Sequence, residues 1–409
     1  MTPSPNTRLP WRFWIVALVA FINAVSFTIV IPILYPYAKQ FGLSDFQASL
    51  LTTAYAASQF VATPILGRLS DQVGRKPLLV LSLLGTVLAN GVASLTPVPW
   101  LLFVARILDG VTGGNNAIAQ AVVSDITDPE QRTKAFGIFG AMFRLGFVAG
   151  PPLAYVAQQV PPLPGLSSLG MGFLMAAAIA LLATVLCLFF LPETHHRRGQ
   201  FRLTGADFKI GTILRSVTHP HYGRIFVLTF MSGFTFTIFT FAFQPFFLTV
   251  LGQDARSLAL MFAAFGIIGF VAQVFGLDPL RRRFSLVHIL AFMLAARGLL
   301  FLLIPTFPTM VAFTLITIVF SAVNSFPFPL IESILSLRTS AQEQGQQLGT
   351  NAAFLSLSNA LGPATAGLLV SFGYRFPFWV TGVLTLGVAA FSLTLESPQE
   401  PGSKNSPAS

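Results

Sequence analysis

The sequence is poor in charged residues and nearly without cysteine. Only 9% of its 409 residues are charged, whereas soluble domains carry about a quarter. Because 54% of the residues are hydrophobic, the chain has too little polar surface for a water-soluble fold. The one cysteine, Cys187, lies inside an apolar run, which excludes a disulfide framework or a cysteine metal site and predicts a buried small side chain.

The basic residues and histidines do not indicate nucleic acid, a metal or a cofactor. The net charge is +10, but the basic residues lie in short loops rather than on one face. The polar stretch 192–222 has no acidic or cysteine partner at ligand spacing, so we expect a solvated basic linker at the anionic inner leaflet. Its histidines are His195, His196, His219 and His221. No nucleotide-binding loop or Ser/His/Asp arrangement occurs, so neither an enzyme nor an ATP-driven pump is expected.

Long apolar runs follow one another along the whole chain. A bilayer core about 30 Å thick needs about 20 apolar residues per helical crossing. The runs predict an all-α membrane protein with twelve transmembrane helices, called spans 1 to 12 below. In chain order the predicted spans are 12–38, 46–68, 77–95, 99–122, 134–158, 170–191, 224–250, 256–278, 286–304, 308–334, 346–372 and 376–395.

The loop charges predict the orientation. Lys and Arg gather in the loops on one side, while the other side holds only Lys39, Arg256 and Arg375. Because basic loops stay in the cytoplasm, both termini are predicted to be cytoplasmic. Short loops and modest length suit a multi-pass protein of a bacterial inner (plasma) membrane.

The two halves of the sequence resemble each other. Gly150-Pro151 returns as Gly362-Pro363, roughly half the chain later, and Pro97 returns as Pro305. A duplication of this kind predicts two six-helix bundles, with a binding site between them at the membrane midplane. The predicted divisions are a first bundle at 1–191, a cytoplasmic linker at 192–222, a second bundle at 223–396 and a disordered cytoplasmic tail at 397–409.

A glycine-rich, charged segment joins spans 2 and 3. Its glycines suit tight turns and close helix approach, and its acid and bases can form a salt-bridged gate. The segment 67–77 resembles the signature of this loop in the major facilitator superfamily at nearly every position. The predicted gating residues are Gly67, Asp71, Gly74, Arg75 and Lys76.

Span 4 carries charges where an apolar helix is expected. Arg106 and Asp109 are three residues apart and can neutralise each other, and charges inside the membrane are usually functional. The run 106–115 resembles the helix 4 motif of drug exporters in the same superfamily, and this resemblance implies that Arg106 takes part in proton coupling. Asp109 is the first candidate for the proton carrier and Glu332 the second. A purely structural ion pair, and an interfacial role for Glu332, are the alternatives.

Span 5 contains a glycine-proline motif. Glycines four residues apart let helices approach closely, and proline bends a helix. The run resembles an antiporter motif, which implies a hinge at Gly146, Gly150 and Pro151; plain packing is the alternative.

With the loop motif and the Leu-Pro-Glu-Thr ending at 191–194, the chain resembles the tetracycline/proton antiporter branch. That branch has acids where this chain has Asn23 and a neutral region around 88–90, so tetracycline is not predicted as the substrate.

The spans assigned to a cavity carry few polar groups. Phenylalanine dominates span 7, which suits an apolar or amphipathic ligand but also simple contact with lipid. Arg144 is predicted either to hold an anionic substrate or to pair with Asp109, and Arg297 is predicted to snorkel to the membrane surface. The predicted substrate-binding residues are Asn23, Asn115, Arg144, Phe239, Gln244 and Asn324.

The sequence therefore predicts a monomeric secondary transporter, working by alternating access as a proton-driven exporter of small hydrophobic or amphipathic compounds. An importer or uniporter of a metabolite is one alternative, favoured by the missing acids of spans 1 and 3. A sensor or scaffold on a transporter fold is another, but it would not need a gating loop. The expected partners are a small-molecule substrate, protons and the bilayer.

Overall fold

The computed structural model describes residues 9–194, 211, 215–340 and 343–395. In these residues the chain is helical, with short connections and no strand. The helices are α1 Trp11–Gln40, α2 Asp45–Val73, α3 Arg75–Leu95, α4 Pro99–Thr112, α5 Asn115–Ile126, α6 Pro129–Gln159, α7 Ser168–Phe190, α8 Gly223–Pro245, α9 Ala255–Arg281, α10 Leu286–Leu303, α11 Met310–Asn324, α12 Pro327–Arg338, α13 Gln344–Val370 and α14 Phe376–Ser392. A π-helical turn, Phe246–Val250, extends α8.

Each predicted span coincides with one helix or with one broken helix. Within the described residues, nine helical segments are both long and apolar enough to cross a membrane. The other three predicted spans do not meet both conditions, for reasons that the structure shows. Span 4 is divided between α4 and α5, α14 has only 17 residues, and α2 carries polar residues such as Gln59 and Thr63 along its 29 residues.

Two spans are broken near their middle, which the hydropathy pattern did not predict. Span 4 breaks at Gly113-Gly114, where two residues without side chains weaken the helix. Span 10 breaks at Ser325-Phe326, directly before Pro327, which has no backbone N–H to donate. The breaks are separated along the chain by the same interval as the two Gly-Pro pairs, so both halves share this feature.

The helices form two compact units. One contains the described residues of 1–209 with 240–267 and 359–374, and the other contains those of 210–239, 268–358 and 375–409. The predicted domain boundaries stay a prediction. Most of the predicted linker and all of the predicted tail lie outside the described residues.

The interior of the first unit is built around α1. This helix packs on α6 and α7, and Ser26 Oγ donates a hydrogen bond of 2.8 Å to the Ala176 carbonyl. Phe13, Leu83 and Cys187 are 0% exposed within one apolar cluster. The prediction that Cys187 is a buried small side chain is therefore confirmed.

Candidate functional site

A buried ion pair lies in α4. Arg106 Nη1 and Asp109 Oδ2 are 2.8 Å apart, and the two residues are 4% and 5% exposed. The three-residue spacing on a helix places the two side chains on adjoining faces. The structure therefore brings together the two residues that the sequence singled out in span 4.

The pair is enclosed by α2 and α3. The Arg106 guanidinium carbon lies 4.4 Å from the centroid of the Tyr55 ring, and Thr86 of α3 lies beside the Asp109 carboxylate. Gln59 Nε2 donates at 2.9 Å both to the Tyr55 hydroxyl and to the Gly113 carbonyl at the break in span 4. Tyr55 and Gln59 thus link the ion pair to the helix break, a connection for which the sequence carried no signal beyond their polarity.

The surroundings determine what this pair can do. A carboxylate buried in an apolar span can take up or release a proton, and either change alters its attraction to the neighbouring guanidinium. Asp109 is the only carboxylate at ion-pair distance from Arg106 among the described residues. Arg106 Nε is buried and has no hydrogen-bond partner there. Protonation of Asp109 would therefore change the energy of the whole α2–α4 contact.

The other charged candidates lie in different environments. Glu332 is exposed on α12, in contrast to Asp109. Arg144 is exposed on α6, and the ion-pair partner of Asp109 is Arg106. The predicted roles of Arg144, holding an anionic substrate or pairing with Asp109, stay predictions.

A small pocket of about 10 Å³, walled mostly by apolar side chains, lies where α1, α3, α5 and α6 meet. Asn115 Nδ2 donates to Asn23 Oδ1 at 3.0 Å, joining two of the predicted substrate-binding residues. Asn116 also lines the pocket, and its Oδ1 is buried without a hydrogen-bond partner among the described residues. The pocket therefore offers an unused acceptor beside the helix break, surrounded by apolar side chains. These side chains are Val19, Ala20, Leu79, Leu83, Ala119 and Phe143.

The remaining predicted substrate-binding residues are dispersed. Phe239 is 3% exposed and its ring centroid lies 4.4 Å from that of Phe320, so the structure gives it a packing role. Gln244 is 6% exposed, and its Oε1 has no hydrogen-bond partner among the described residues. Asn324 ends α11 at the break in span 10 and accepts a hydrogen bond from Arg297. The binding roles of these three residues stay predictions.

The prediction for Arg297 is wrong. The side chain does not snorkel to the membrane surface; it is 0% exposed and lies buried inside the second unit. Its guanidinium donates to Ser232 and Thr235 of α8 as well as to Asn324. The sequence does not reveal that Arg297 is buried, because a peripheral helix and an interior one are equally apolar in a membrane protein.

The glycines of span 5 pack closely against α1. A Cβ atom added at Gly146 would lie 2.6 Å from Ala24 Cβ, and one at Gly150 would lie 2.8 Å from Thr28 Cβ. Thr28 Oγ1 donates to the Gly146 carbonyl at 3.1 Å across the same contact. Pro151 follows within the helix, but whether the motif bends during transport stays a prediction.

We expect Gly150→Ala to destabilise the protein by about 1–3 kcal/mol, because the added methyl group would force α1 and α6 apart. Gly140→Ala is the matched control on the same helix, since a Cβ there would meet nothing within 4 Å. Thermal unfolding of both variants in detergent checks the prediction. Equal midpoint temperatures for the two variants would contradict it.

The predicted gating segment forms a charged cluster at one end of the first unit. Arg75 Nη1 lies 2.5 Å from Asp71 Oδ1 and donates to Ser70 Oγ at 2.6 Å, while Arg75 Nε lies 3.0 Å from Asp125 Oδ2. The carboxylate of Glu193 accepts from the Arg75 backbone N–H at 3.0 Å. We call Asp71, Arg75, Asp125 and Glu193 the Arg75 cluster. Asp125 and Glu193 were not among the predicted gating residues, although each is an acid at the end of a span.

The turn of this segment is shorter than predicted. Gly67 lies inside α2, which continues to Val73, so Gly74 alone separates α2 from α3. Gly74 has φ of +111°, which favours glycine, and a Cβ there would lie 2.5 Å from Glu193 Oε2. Lys76 lies in the first turn of α3, and its backbone N–H donates to Glu193 Oε2 at 3.2 Å.

Metal ligands do not come together in the described residues. No group of three His, Cys, Asp or Glu side chains that could hold a metal ion occurs in that part of the chain. His195 and His196 lie outside it.

The chain is similar to known transport and resistance proteins. A family model described as the Major Facilitator Superfamily matches residues 16–223 and 225–409. Tetracycline resistance protein, class C, of Escherichia coli is 32% identical over 351 residues, covering 84% of this chain and 85% of that protein. Multidrug resistance protein 1 of Bacillus subtilis is 28% identical over 372 residues, covering 90% and 92%.

A solved structure has the same fold. The human organic anion transporter MFSD10 aligns with a TM-score of 0.70 at 20% identity, covering 95% of this chain and 100% of that one. Together with the described helices, these similarities confirm the predicted membrane fold of twelve helices.

Proposed function

The chain belongs to the major facilitator superfamily, and from this premise we propose that it is a proton-coupled exporter of small hydrophobic or amphipathic compounds. It is a multi-pass membrane transporter rather than an enzyme. We place it in a bacterial inner membrane with both termini in the cytoplasm, as the loop charges predict.

The observation that carries the proposal is the buried Arg106–Asp109 pair. Coupling requires a group that changes charge inside the membrane and a structural element that responds to the change. Asp109 is such a group, and its environment includes Tyr55 and Gln59, which reach the break at Gly113. Protonation would weaken the attraction between Asp109 and Arg106 and shift the conformational equilibrium of the transporter.

The names of the relatives support efflux of drug-like compounds. Both relatives described above are resistance proteins, one for tetracycline and one for multiple drugs. The Asn23–Asn115 pocket encloses only about 10 Å³, so it must open before it can admit a compound; its few amides and apolar walls suit an apolar or amphipathic one. Tetracycline itself is not favoured, since the first and third spans carry the neutral residues Asn23 and Asn90 in the places where the tetracycline/proton antiporter branch has acids.

A metabolite uniporter is the second candidate, and the neutral character of Asn23 favours it. Asn23 accepts a hydrogen bond from Asn115, so the first span contributes an amide rather than an acid to this pocket. A uniporter would move its substrate without proton exchange.

The test is proton movement in inverted membrane vesicles whose interior has been acidified. A panel of lipophilic drugs, dyes and metabolites is added, and an internal pH-sensitive dye reports proton release. We expect release with one or more apolar or amphipathic compounds, and no release in vesicles lacking the protein. Movement of a labelled compound without any proton release would replace this proposal with the uniporter.

A further inference from the structure

We propose that Arg297 and Asn324 form an anion-recognition site for the carboxylate, or a similar acidic group, of an amphipathic substrate. The proposal rests on the proposed function only in taking the anion to belong to a transported compound. It starts from a buried cation for which the described residues supply no opposite charge.

Within the described residues, the hydrogen bonds of Arg297 all go to neutral oxygen atoms, and its guanidinium carbon also lies 6.0 Å from the centroid of the Phe301 ring. Nη1 donates to Asn324 Oδ1 at 3.3 Å, and Nη2 donates to Ser232 Oγ at 3.1 Å, to the Ser232 carbonyl at 3.3 Å and to Thr235 Oγ1 at 3.2 Å. Nε is buried and has no hydrogen-bond partner in the part of the chain that the structure describes. Within the described residues, no carboxylate lies at ion-pair distance from this guanidinium.

The comparison with Arg106 shows what is missing. Arg106 is buried to a similar degree, but a carboxylate lies 2.8 Å from its Nη1. A buried cation is strongly disfavoured without an opposite charge, and neutral acceptors compensate it less well than a carboxylate does. A guanidinium presents planar, paired donors that match a carboxylate, and Arg297 still has an unused donor at Nε. An anion is therefore the ligand chemistry that this site favours.

Asn324 provides a route to the cation. It is partly exposed, whereas Arg297 is 0% exposed, and its Oδ1 lies 3.3 Å from Arg297 Nη1. It is the last residue of α11, directly before the break at Ser325-Phe326, where the regular helical hydrogen bonds stop. Rotation of its side chain would uncover Nη1 and let the amide donate to the same anion.

The test compares two compounds of nearly the same shape, the anion 1-naphthylacetate and the neutral amide 1-naphthylacetamide, binding to the full-length protein in an uncharged detergent. Affinities are measured by equilibrium dialysis. We expect the acid to bind about tenfold more tightly than the amide, as one charge-assisted bidentate contact can provide. Arg297→Gln should remove this preference and Arg297→Lys should retain part of it. Arg256→Gln, which changes an exposed arginine, should leave it intact.

Asn324→Asp is the variant that keeps the test decisive if Arg297→Gln fails to fold. It places a carboxylate of nearly the same shape beside Arg297 Nη1, so the protein supplies its own anion. We expect it to abolish the preference for the acid and to raise the midpoint temperature of unfolding. A preference that survives both Arg297→Gln and Asn324→Asp, or a wild-type protein that binds both compounds equally, would overturn the proposal.

An anionic lipid is the other source of an acidic group. Phosphatidylglycerol added to the micelles should leave naphthylacetate binding unchanged if the site is built for substrate. Competition between the two would assign the site to lipid and overturn the substrate assignment. None of these measurements needs a proton gradient, so their failure is distinguishable from failure of the proposed proton exchange.

Discussion

Replacing Asp109 with asparagine is expected to abolish compound-driven proton release and to destabilise the protein by about 3–5 kcal/mol. The loss of coupling follows because asparagine cannot take up a proton. The loss of stability follows because Arg106, 4% exposed, would keep its charge without a carboxylate. Proton release in inverted vesicles and thermal unfolding in detergent measure the two effects separately.

The double variant Arg106→Gln with Asp109→Asn separates coupling from folding. It replaces the ion pair by two neutral amides, so most of the stability should return while proton release stays absent. Glu332→Gln is the control for the second candidate, an exposed acid on α12, and should retain both properties. If Glu332→Gln abolished proton release while Asp109→Asn retained it, the proton would have to be assigned to Glu332.

Replacing Arg75 with alanine is expected to cost about 3 kcal/mol of stability and to slow transport. The side chain of Arg75 is only 9% exposed and holds Asp71 and Asp125 close to each other, so its removal would leave acids in mutual repulsion. The estimate lies toward the low end for a buried pair because Asp71 is 53% exposed. Thermal unfolding and initial rates of substrate movement measure the effects.

Lys76→Ala is the matched control for this cluster. Lys76 is the next residue and also basic, but its side chain makes no ion pair with the described residues, so we expect a change below about 0.5 kcal/mol. Arg75→Lys should rescue only part of the loss, since an ammonium group lacks the fork that reaches Asp71, Ser70 and Asp125 together. Similar losses in Arg75→Ala and Lys76→Ala would show that the basic charge of the loop matters rather than the cluster.

A contact within the candidate site was predictable only where its two members are neighbours in sequence. Arg106 and Asp109 share one helix, so their spacing alone predicted the contact. Glu193 meets the start of α3 from the end of α7, and no spacing rule relates residues so far apart in the chain. Tyr55 and Gln59 were missed for the same reason, because they reach α4 from α2.

The sequence by itself determined the number of spans and where most of them begin and end. Crossing a bilayer requires about 20 apolar residues, and this requirement is local and visible in each run. The family could also be identified, because its loop and helix motifs are contiguous segments.

Only the tertiary structure decided which faces of those helices are interior. Lipid is as apolar as a protein core, so hydropathy does not distinguish a face turned to lipid from one turned to another helix. The sequence shows an acid three residues from Arg106, whereas nothing in the run around Arg297 indicates what surrounds that side chain. Helix packing places Arg297 against neutral oxygens of α8 and α11, and the chemistry of this buried cation follows from that packing.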